Sequence, residues 1–264
     1  MKIDLSGKSA FISGSTQGIG RAIAARLAEC GAVVHINGRD PARVDAVVSE
    51  LRGEVPGARF EAAPADVSTA EGAAALFEAL PEVDVLINNL GIFGPVPLLE
   101  VDDALWQRYW DVNVMSAIRL TRHYIAGMRE RGWGRVQFMA SDSAVVIPEE
   151  MVHYGVTKTA LLGVSRGFAK VVAGSGVTVN AVIAGPTHTE GVEDFVRELV
   201  GDDLDWDDAQ RKFVAEHRPN SLIGRLIEPD EIANLVAYLS SDLASATTGG
   251  AVRVDGGYVD HILP

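Results

Sequence analysis

The sequence is poor in cysteine and in basic residues. Its 264 residues include one cysteine, Cys30, so no intrachain disulfide can form and a disulfide-held secreted fold is excluded. Lys and Arg number 23 against 36 Asp and Glu, which gives a formal net charge of −13. Such an acidic surface repels nucleic-acid phosphate and anionic lipid, and we expect neither as a partner.

Long hydrophobic runs are also missing. Asp4 and Lys8 interrupt the apolar stretch that a signal peptide would need. The longest weakly charged run, residues 171–190, contains several glycines, Asn180 and Pro186, and is no membrane span. We therefore expect a cytoplasmic protein. The histidines show no metal-ligand spacing, so no metal is expected.

Short apolar runs alternate with longer amphipathic segments along the whole chain. The pattern predicts seven strands, at 9–13, 32–37, 59–63, 83–88, 134–140, 177–182 and 251–254. Helical patterns separate them, the longest at 101–131 and 152–173. This alternation indicates a single α/β domain with a doubly wound, Rossmann-type parallel sheet. The acidic segment 193–208, within a helical insertion at about 187–223, is a candidate lid.

A glycine-rich loop follows the first predicted strand and opens the first helix. It reads Gly14-Ser15-Thr16-Gln17-Gly18-Ile19-Gly20. Glycines allow a pyrophosphate close to the backbone, and the helix N-terminus presents free N–H groups to it. Glycine-rich turns that bind nothing are common, so the loop alone does not establish a dinucleotide site.

Four polar residues form a candidate catalytic set. Tyr154 and Lys158 are four residues apart in a predicted helix and share one face. A nearby ammonium favours the phenolate and lowers the pKa of a tyrosine, which makes the pair a sensible acid–base unit. Ser141 ends the fifth strand, where a hydroxyl can bind a substrate carbonyl, and Asn113 lies in an apolar helical pattern. Taken singly, Ser141 is equally typical of a turn cap and Asn113 of a buried core amide.

Together, these motifs resemble those of the short-chain dehydrogenase/reductase family. In that family the tyrosine donates or accepts the proton, and the lysine binds the nicotinamide ribose and tunes the tyrosine. The serine orients the substrate oxygen, and the asparagine helps to hold a proton-relay water. The resemblance implies these roles for Tyr154, Lys158, Ser141 and Asn113, with hydride transfer between a nicotinamide and a ketone or secondary alcohol.

Other segments extend the resemblance to essentially the whole chain. Asn88-Asn89-Leu90-Gly91 is similar to the family's Asn-Asn-Ala-Gly motif, Asp66-Val67 to its adenine-contacting pair, and Asp255-Gly256-Gly257 to its C-terminal signature. Residues 180–189 are similar to the stretch that meets the nicotinamide carboxamide. Leu90 departs from the usual alanine and Ala184 from the usual proline. The implied cofactor-binding residues are Gly14, Ser15, Thr16, Gln17, Gly18, Ile19, Gly20, Arg39, Asp66, Val67, Asn89, Gly91, Tyr154, Lys158, Gly185, Thr187 and Thr189.

The second strand ends in Asn37-Gly38-Arg39, which bears on the choice of cofactor. NAD-dependent relatives usually have an aspartate there that binds the ribose hydroxyls. Here no carboxylate repels a 2'-phosphate, and Arg39 can pair with one. We expect NADP to be preferred over NAD, although Gln17 stands where NADP-preferring relatives often carry a base.

Features of the sequence also bear on several rival functions. Residues 163–167 fit the Gly-x-Ser-x-Gly pattern of serine hydrolases, but they fall inside a predicted helix without the required preceding strand. A cofactor-binding scaffold without turnover is disfavoured by the intact Ser141, Tyr154 and Lys158, and an enoyl reductase by the Tyr–Lys spacing. A 3-oxoacyl thioester reductase remains an alternative. The acidic lid would repel an acidic carrier protein, whereas three bases are candidate contacts for one: Arg129, Arg131 and Arg135.

The expected substrate pocket is mainly apolar, which favours an apolar or amphipathic small molecule. Its expected lining is Ile92, Phe93, Ser143, Val145, Ile147, Met151 and the lid around Trp206. The family resemblance also implies a homo-tetramer or homo-dimer.

Overall fold

The computed structural model describes residues 2–262, and within them seven parallel strands form one sheet in the order β3-β2-β1-β4-β5-β6-β7. The predicted doubly wound sheet of Rossmann type is thus confirmed. The strands are β1 (Ser9–Ile12), β2 (Val33–Ile36), β3 (Arg59–Ala62), β4 (Val85–Asn88), β5 (Gly134–Ser141), β6 (Val177–Ala184) and β7 (Ala251–Val254).

Helices cover both faces of the sheet. One face packs against α1, α2 and α9, and the other against α3, α5 and α6. Every residue of the central strands β5 and β6 is buried, as expected of parallel strands covered on two sides. The helices are α1 (Gly18–Glu29), α2 (Pro41–Glu54), α3 (Ala70–Ala79), α4 (Asp103–Trp110), α5 (Ser116–Arg131), α6 (Val152–Val171), α7 (Glu190–Val200), α8 (Trp206–His217) and α9 (Pro229–Ser240).

The single helix predicted at 101–131 is wrong in one respect, because a π-helical turn at Asp111–Met115 separates α4 from α5. Asn113 lies in this turn, and its side-chain amide bonds outside the helix, to the backbone of Ile92 and to Thr157. These long-range bonds compensate for the irregular backbone. Sequence periodicity contains no information about such distant partners.

The order of the strands places an opening beside the glycine-rich loop. The chain passes from β3 at one edge to β4 on the far side of β1, so the loops after β1 and β4 diverge at the carboxyl ends of the strands. The predicted insertion contains α7 and α8, whose apolar side chains cluster with Met151 and Leu226 and pack against Tyr154. Within residues 2–262, no helix combines the length and the apolar composition needed to cross a membrane.

Candidate active site

The glycine-rich loop is held against the end of β4 by Asn89. The Asn89 side-chain amide donates to the carbonyls of Ser13 (3.0 Å) and Gly14 (2.9 Å). At Gly20 a Cβ atom would lie 2.5 Å from both Asn89 Nδ2 and the Gly14 carbonyl oxygen, so only glycine fits. Gly14 and Gly18 adopt positive φ angles of 64° and 54°. The loop and the start of α1 thereby present bare backbone, as the approach of a pyrophosphate requires.

One cleft at this edge of the sheet gathers most of the residues predicted for the site. Its lining includes Gln17, Gly18, Ile19, Gly20, Asn89, Gly91, Ser141, Tyr154, Lys158, Gly185, Thr187 and Thr189. The other predicted residues are absent from this lining, namely Gly14, Ser15, Thr16, Arg39, Asp66, Val67 and Asn113. The cleft runs from the glycine-rich loop to the candidate catalytic residues.

Several predicted residues lie outside the cleft and support the loops that line it. The Ser15 hydroxyl donates to the Ile12 carbonyl (2.9 Å) and accepts from the Asn37 N–H (2.9 Å), so its hydrogen bonds are used within the protein. Val67 is buried in the core, and Asp66 accepts hydrogen bonds from the Ser68 N–H and hydroxyl. These side chains fix the shape of the loops.

Ser141, Tyr154 and Lys158 come together beyond the end of β5. The Lys158 ammonium donates to the Met139 carbonyl (2.8 Å) and lies 5.6 Å from the centre of the Tyr154 ring. The Ser141 hydroxyl donates to Asp142 Oδ1 at 2.7 Å. It also lies close enough to Tyr154 to favour the phenolate, although burial has the larger effect on that tyrosine.

Burial dominates the ionisation of this pair. It raises the pKa of Tyr154 well above the usual value and lowers the pKa of Lys158 to about 8. Burial raises the pKa of Tyr154 because a phenolate is costly to remove from water. The Lys158 ammonium is directed at a backbone carbonyl, and its expected lowering of the Tyr154 pKa stays a prediction.

Asn113 lies outside the cleft lining. Its Oδ1 accepts from the Ile92 N–H (2.8 Å), and its Nδ2 donates to the Ile92 carbonyl and the Thr157 hydroxyl (both 3.0 Å). These bonds use both amide hydrogens of the side chain, and the relay-water role that the resemblance implied stays a prediction. A Cβ at Gly91 would lie 3.4 Å from Lys158 Nζ and 3.5 Å from Asn113 Oδ1, which shows how closely these groups meet.

Two residues depart from the family pattern, Leu90 beside the glycine-rich loop and Ala184 within the sheet. Leu90 lies over Gly14, where a Cβ would come within 3.3 Å of its Cδ1, and it packs on the core beside the loop. Ala184 remains within the sheet, paired with Ser141 on one side and Val254 on the other.

Sequence reasoning placed the substrate pocket only in part. Phe93, Ser143 and Met151 line the cleft, whereas Ile92, Val145, Ile147 and Trp206 do not. The cleft also contains two buried charged residues that the motifs did not reveal, Asp142 and Arg218. Asp142 directly follows Ser141, which is a signal that could have identified it. Arg218 ends α8 and belongs to no motif.

The structure bears on two rival functions. Arg135 lies near the start of β5 at the amino edge of the sheet, is 2% exposed and bonds to the Ser241 and Gly176 carbonyls. Arg129 and Arg131 end α5 at the same edge, so none of these bases lines the cleft, and their role in carrier binding stays a prediction. Ser165 is buried in the middle of α6 without the strand–turn–helix context of a hydrolase nucleophile.

Comparison with known proteins agrees with this geometry. A family model described as enoyl-(acyl carrier protein) reductase matches residues 14–259. The uncharacterised oxidoreductase YvaG of Bacillus subtilis (strain 168) is 48% identical over 264 residues, covering 100% of both chains. The 3-oxoacyl-(acyl-carrier-protein) reductase FabG of Aquifex aeolicus (strain VF5) is 31% identical, covering 97% of this chain and 99% of the relative.

A solved structure is also similar. L-sorbose reductase from Gluconobacter frateurii, complexed with NADPH and L-sorbose, matches with a TM-score of 0.92 and 34% identity, covering 99% of this chain and 100% of the other. The whole length, the sheet and the cleft therefore lead to one conclusion. The chain belongs to the short-chain dehydrogenase/reductase family and is an oxidoreductase that interconverts ketones and alcohols with a nicotinamide dinucleotide.

Proposed function

We propose that this protein is an NADPH-dependent ketone reductase in which Tyr154 gives its proton to the substrate oxygen and Ser141 binds the same oxygen. The observation that carries the proposal is the meeting of Ser141, Tyr154 and Lys158 in one cleft with the glycine-rich loop. The similarity to an L-sorbose reductase complexed with NADPH supports the reductive direction.

The ionisation of the site suits carbonyl reduction. A bound reduced nicotinamide supplies a hydride to the carbonyl carbon. As the C=O π electrons move onto oxygen, the Tyr154 phenol donates its proton there, and solvent later restores the phenol. Because burial raises the pKa of Tyr154, the phenol stays protonated at pH 7. Lys158, with its pKa near 8, is still charged at that pH and attracts the phenolate that remains.

Ser141 needs only a rotation of its hydroxyl to take part. Its proton points to Asp142 Oδ1 in the structure. Rotation about the Cβ–Oγ bond turns the same proton towards a substrate oxygen beside Tyr154. Ser141 and Tyr154 together then stabilise the negative charge that develops on that oxygen.

The end of β2 supports a preference for NADPH. Asn37 is buried, its amide donates to the Ala63 and Ala65 carbonyls, and its Oδ1 accepts from the Gly14 N–H, so it presents no polar atom to a ribose. Arg39 is exposed beyond it. Arg43, which the motifs did not single out, contacts the Thr16 carbonyl (3.5 Å) and adds a second cation beside the loop. A 2'-phosphate would meet two guanidinium groups and no carboxylate from β2.

The remaining expectations are part of the same proposal. The segment 187–223, with α7 and α8, acts as a lid because α7 and the end of α8 both line the cleft. The family resemblance favours a homo-tetramer or homo-dimer and a cytoplasmic location. The substrate is a small carbonyl compound.

A fluorescence titration with NADPH and, separately, NADH tests the cofactor assignment. Tighter binding of NADPH supports the role of Arg39. Tighter binding of NADH contradicts it, and binding of neither dinucleotide would favour a scaffold without turnover.

Replacing Tyr154 by phenylalanine tests its role. We expect Tyr154→Phe to bind NADPH as the wild type does and to lose at least about a hundredfold in kcat, because the positioned proton donor is gone. Tyr238→Phe removes a hydroxyl from α9, far from the cleft lining, and serves as the control. Undiminished turnover by Tyr154→Phe would refute the assignment.

A further inference from the structure

Asp142 is a buried carboxylate with one uncommitted oxygen. It lines the cleft and is 5% exposed. Its Oδ1 accepts hydrogen bonds from the Ser141 hydroxyl and the Ser143 N–H, both at 2.7 Å. No donor within residues 2–262 reaches its Oδ2. A buried carboxylate oxygen without a partner is costly, and in a cleft it indicates a ligand that supplies the missing donor.

Arg218 brings a second polar group into the same cleft. It is 7% exposed, and its guanidinium lies over the rings of Phe213 (5.4 Å) and Tyr258 (5.7 Å). One of its N–H groups donates to the His217 carbonyl, and Nη2 forms an ion pair with Glu150 Oε1 at 3.6 Å, a distance too long for a hydrogen bond. The aromatic rings hold the plane of the guanidinium, while several of its five donors remain available to a ligand.

The balance of charge argues against both apolar and anionic substrates. An apolar molecule would leave Asp142 Oδ2 and the Arg218 donors unpaired and cut off from water. An anionic molecule would face two carboxylates in the lining, Asp142 and Glu190. The two cations of the lining already have partners, since Lys158 donates to the Met139 carbonyl and Arg218 is paired with Glu150. A neutral molecule with several hydroxyls can donate a hydrogen bond to Asp142 Oδ2 and accept hydrogen bonds from Arg218. The apolar substrate expected from the sequence is therefore disfavoured.

We propose that the substrate is a polyhydroxylated ketone, with a hydroxyl on the carbon next to the carbonyl bound by Asp142 and a more distant hydroxyl bound by Arg218. This inference rests on the proposed reductase function. The reacting oxygen lies at Ser141 and Tyr154, and the Asp142 carboxylate is one hydrogen bond beyond Ser141. An oxygen on the neighbouring carbon of the substrate is thus the one that can reach the carboxylate.

The binding step involves no covalent change. The neighbouring hydroxyl donates to Asp142 Oδ2, which draws charge from the carboxylate and weakens the hydrogen bond between Oδ1 and Ser141, so that the Ser141 proton can turn towards the carbonyl oxygen. Reduction then follows as proposed above: the carbon gains a hydride, the oxygen gains the Tyr154 proton, and a vicinal diol leaves. The same contact that selects the substrate also prepares Ser141 for the reaction.

Three small ketones test the role of Asp142 without any variant. Hydroxyacetone carries the neighbouring hydroxyl, 2-butanone replaces it by a methyl group, and methoxyacetone keeps the electron-withdrawing oxygen but lacks the O–H. With the wild-type protein and NADPH we expect kcat/KM for hydroxyacetone to exceed that for each of the others at least about tenfold. Equal values for hydroxyacetone and methoxyacetone overturn the proposal.

Two pairs of variants test the residues. Asp142→Ala is expected to reduce the preference for hydroxyacetone over methoxyacetone to about one, whereas Glu149→Ala, which removes an exposed carboxylate from the same connection, retains it. Arg218→Met should lower kcat/KM for a four-carbon trihydroxyketone about tenfold or more and spare hydroxyacetone. Arg211→Met, an exposed change on α8, should affect neither substrate.

The outcomes separate this inference from the proposed function. If 2-butanone is reduced as well as hydroxyacetone, or a 3-oxoacyl thioester is reduced faster, the protein is a reductase but the assigned substrate class is wrong. If NADPH binds and none of these carbonyls is reduced, the proposed reduction itself is wrong. The kcat/KM values of the three ketones are measured with the wild-type protein. They therefore test the proposal even if Asp142→Ala fails to fold.

Discussion

Replacing Lys158 tests whether a residue that the reaction needs lowers the stability of the folded protein. The residue is 5% exposed, and among residues 2–262 its ammonium has a single hydrogen-bond acceptor, the Met139 carbonyl. We expect Lys158→Met to abolish turnover yet make the folded protein more stable at pH 7 in the absence of dinucleotide. Methionine has a similar length and no charge to bury.

The magnitude follows from the pKa. Burial lowers the pKa of Lys158 from 10.5 to about 8, which corresponds to about 3 kcal/mol of folding free energy at pH 7. Loss of the hydrogen bond to Met139 lowers the stability of the variant by about 1 kcal/mol, which leaves a net gain of about 2 kcal/mol. For a chain of this size that gain corresponds to an increase in Tm of about 5 °C.

The sign of the pH dependence is also fixed. The folded lysine loses its proton near pH 8, while the unfolded lysine keeps its proton up to about 10.5. Between these values the unfolded state binds more protons, so the stability of the wild type rises with pH. The advantage of Lys158→Met should accordingly be largest at pH 7 and shrink towards pH 10.

Thermal unfolding followed by circular dichroism at pH 7 and pH 9.5 measures this difference. Lys170→Met is the matched control, since Lys170 lies on the same helix but is exposed, and we expect its Tm to change little. If Lys158→Met is less stable than Lys170→Met at pH 7, or if its advantage grows with pH, the reasoning about the buried ammonium is refuted.

Two further predictions concern the dinucleotide. Gly20→Ala should lose NADPH binding and about 1–3 kcal/mol of stability, because its methyl group would meet Asn89 and Gly14 at 2.5 Å. A methyl group at Gly163 on α6 meets nothing within 4 Å, so Gly163→Ala should keep both NADPH binding and stability. Titration and thermal melts check both variants, and normal binding by Gly20→Ala would contradict the described loop geometry. Arg39→Ala should weaken NADPH binding about tenfold or more and leave NADH binding unchanged, while Arg59→Ala, at the amino end of β3, should change neither. Equal losses for both dinucleotides would show that Arg39 does not select the 2'-phosphate.

The sequence by itself determined the sheet and showed the glycine-rich loop and the candidate reacting groups. Strand–helix alternation is a local pattern, and a parallel sheet is the arrangement that buries such strands on both faces. The loop at Gly14–Gly20 and the Tyr154–Lys158 pair depend on short spacings, which a linear sequence shows directly. The carboxyl ends of parallel strands meet at one edge, so these motifs were bound to share a cleft.

Only the tertiary structure decided how these groups behave and what surrounds them. The direction of the pKa change at Tyr154 depends mainly on burial, which raises it. Asn113 finds its partners at Ile92 and Thr157, far along the chain, and these contacts leave its side chain without a free proton. Asp142 follows β5 and Arg218 follows α8, and only the tertiary structure brings both residues to one cleft. Long-range proximity and exclusion of water set these properties, and neither is a function of local sequence.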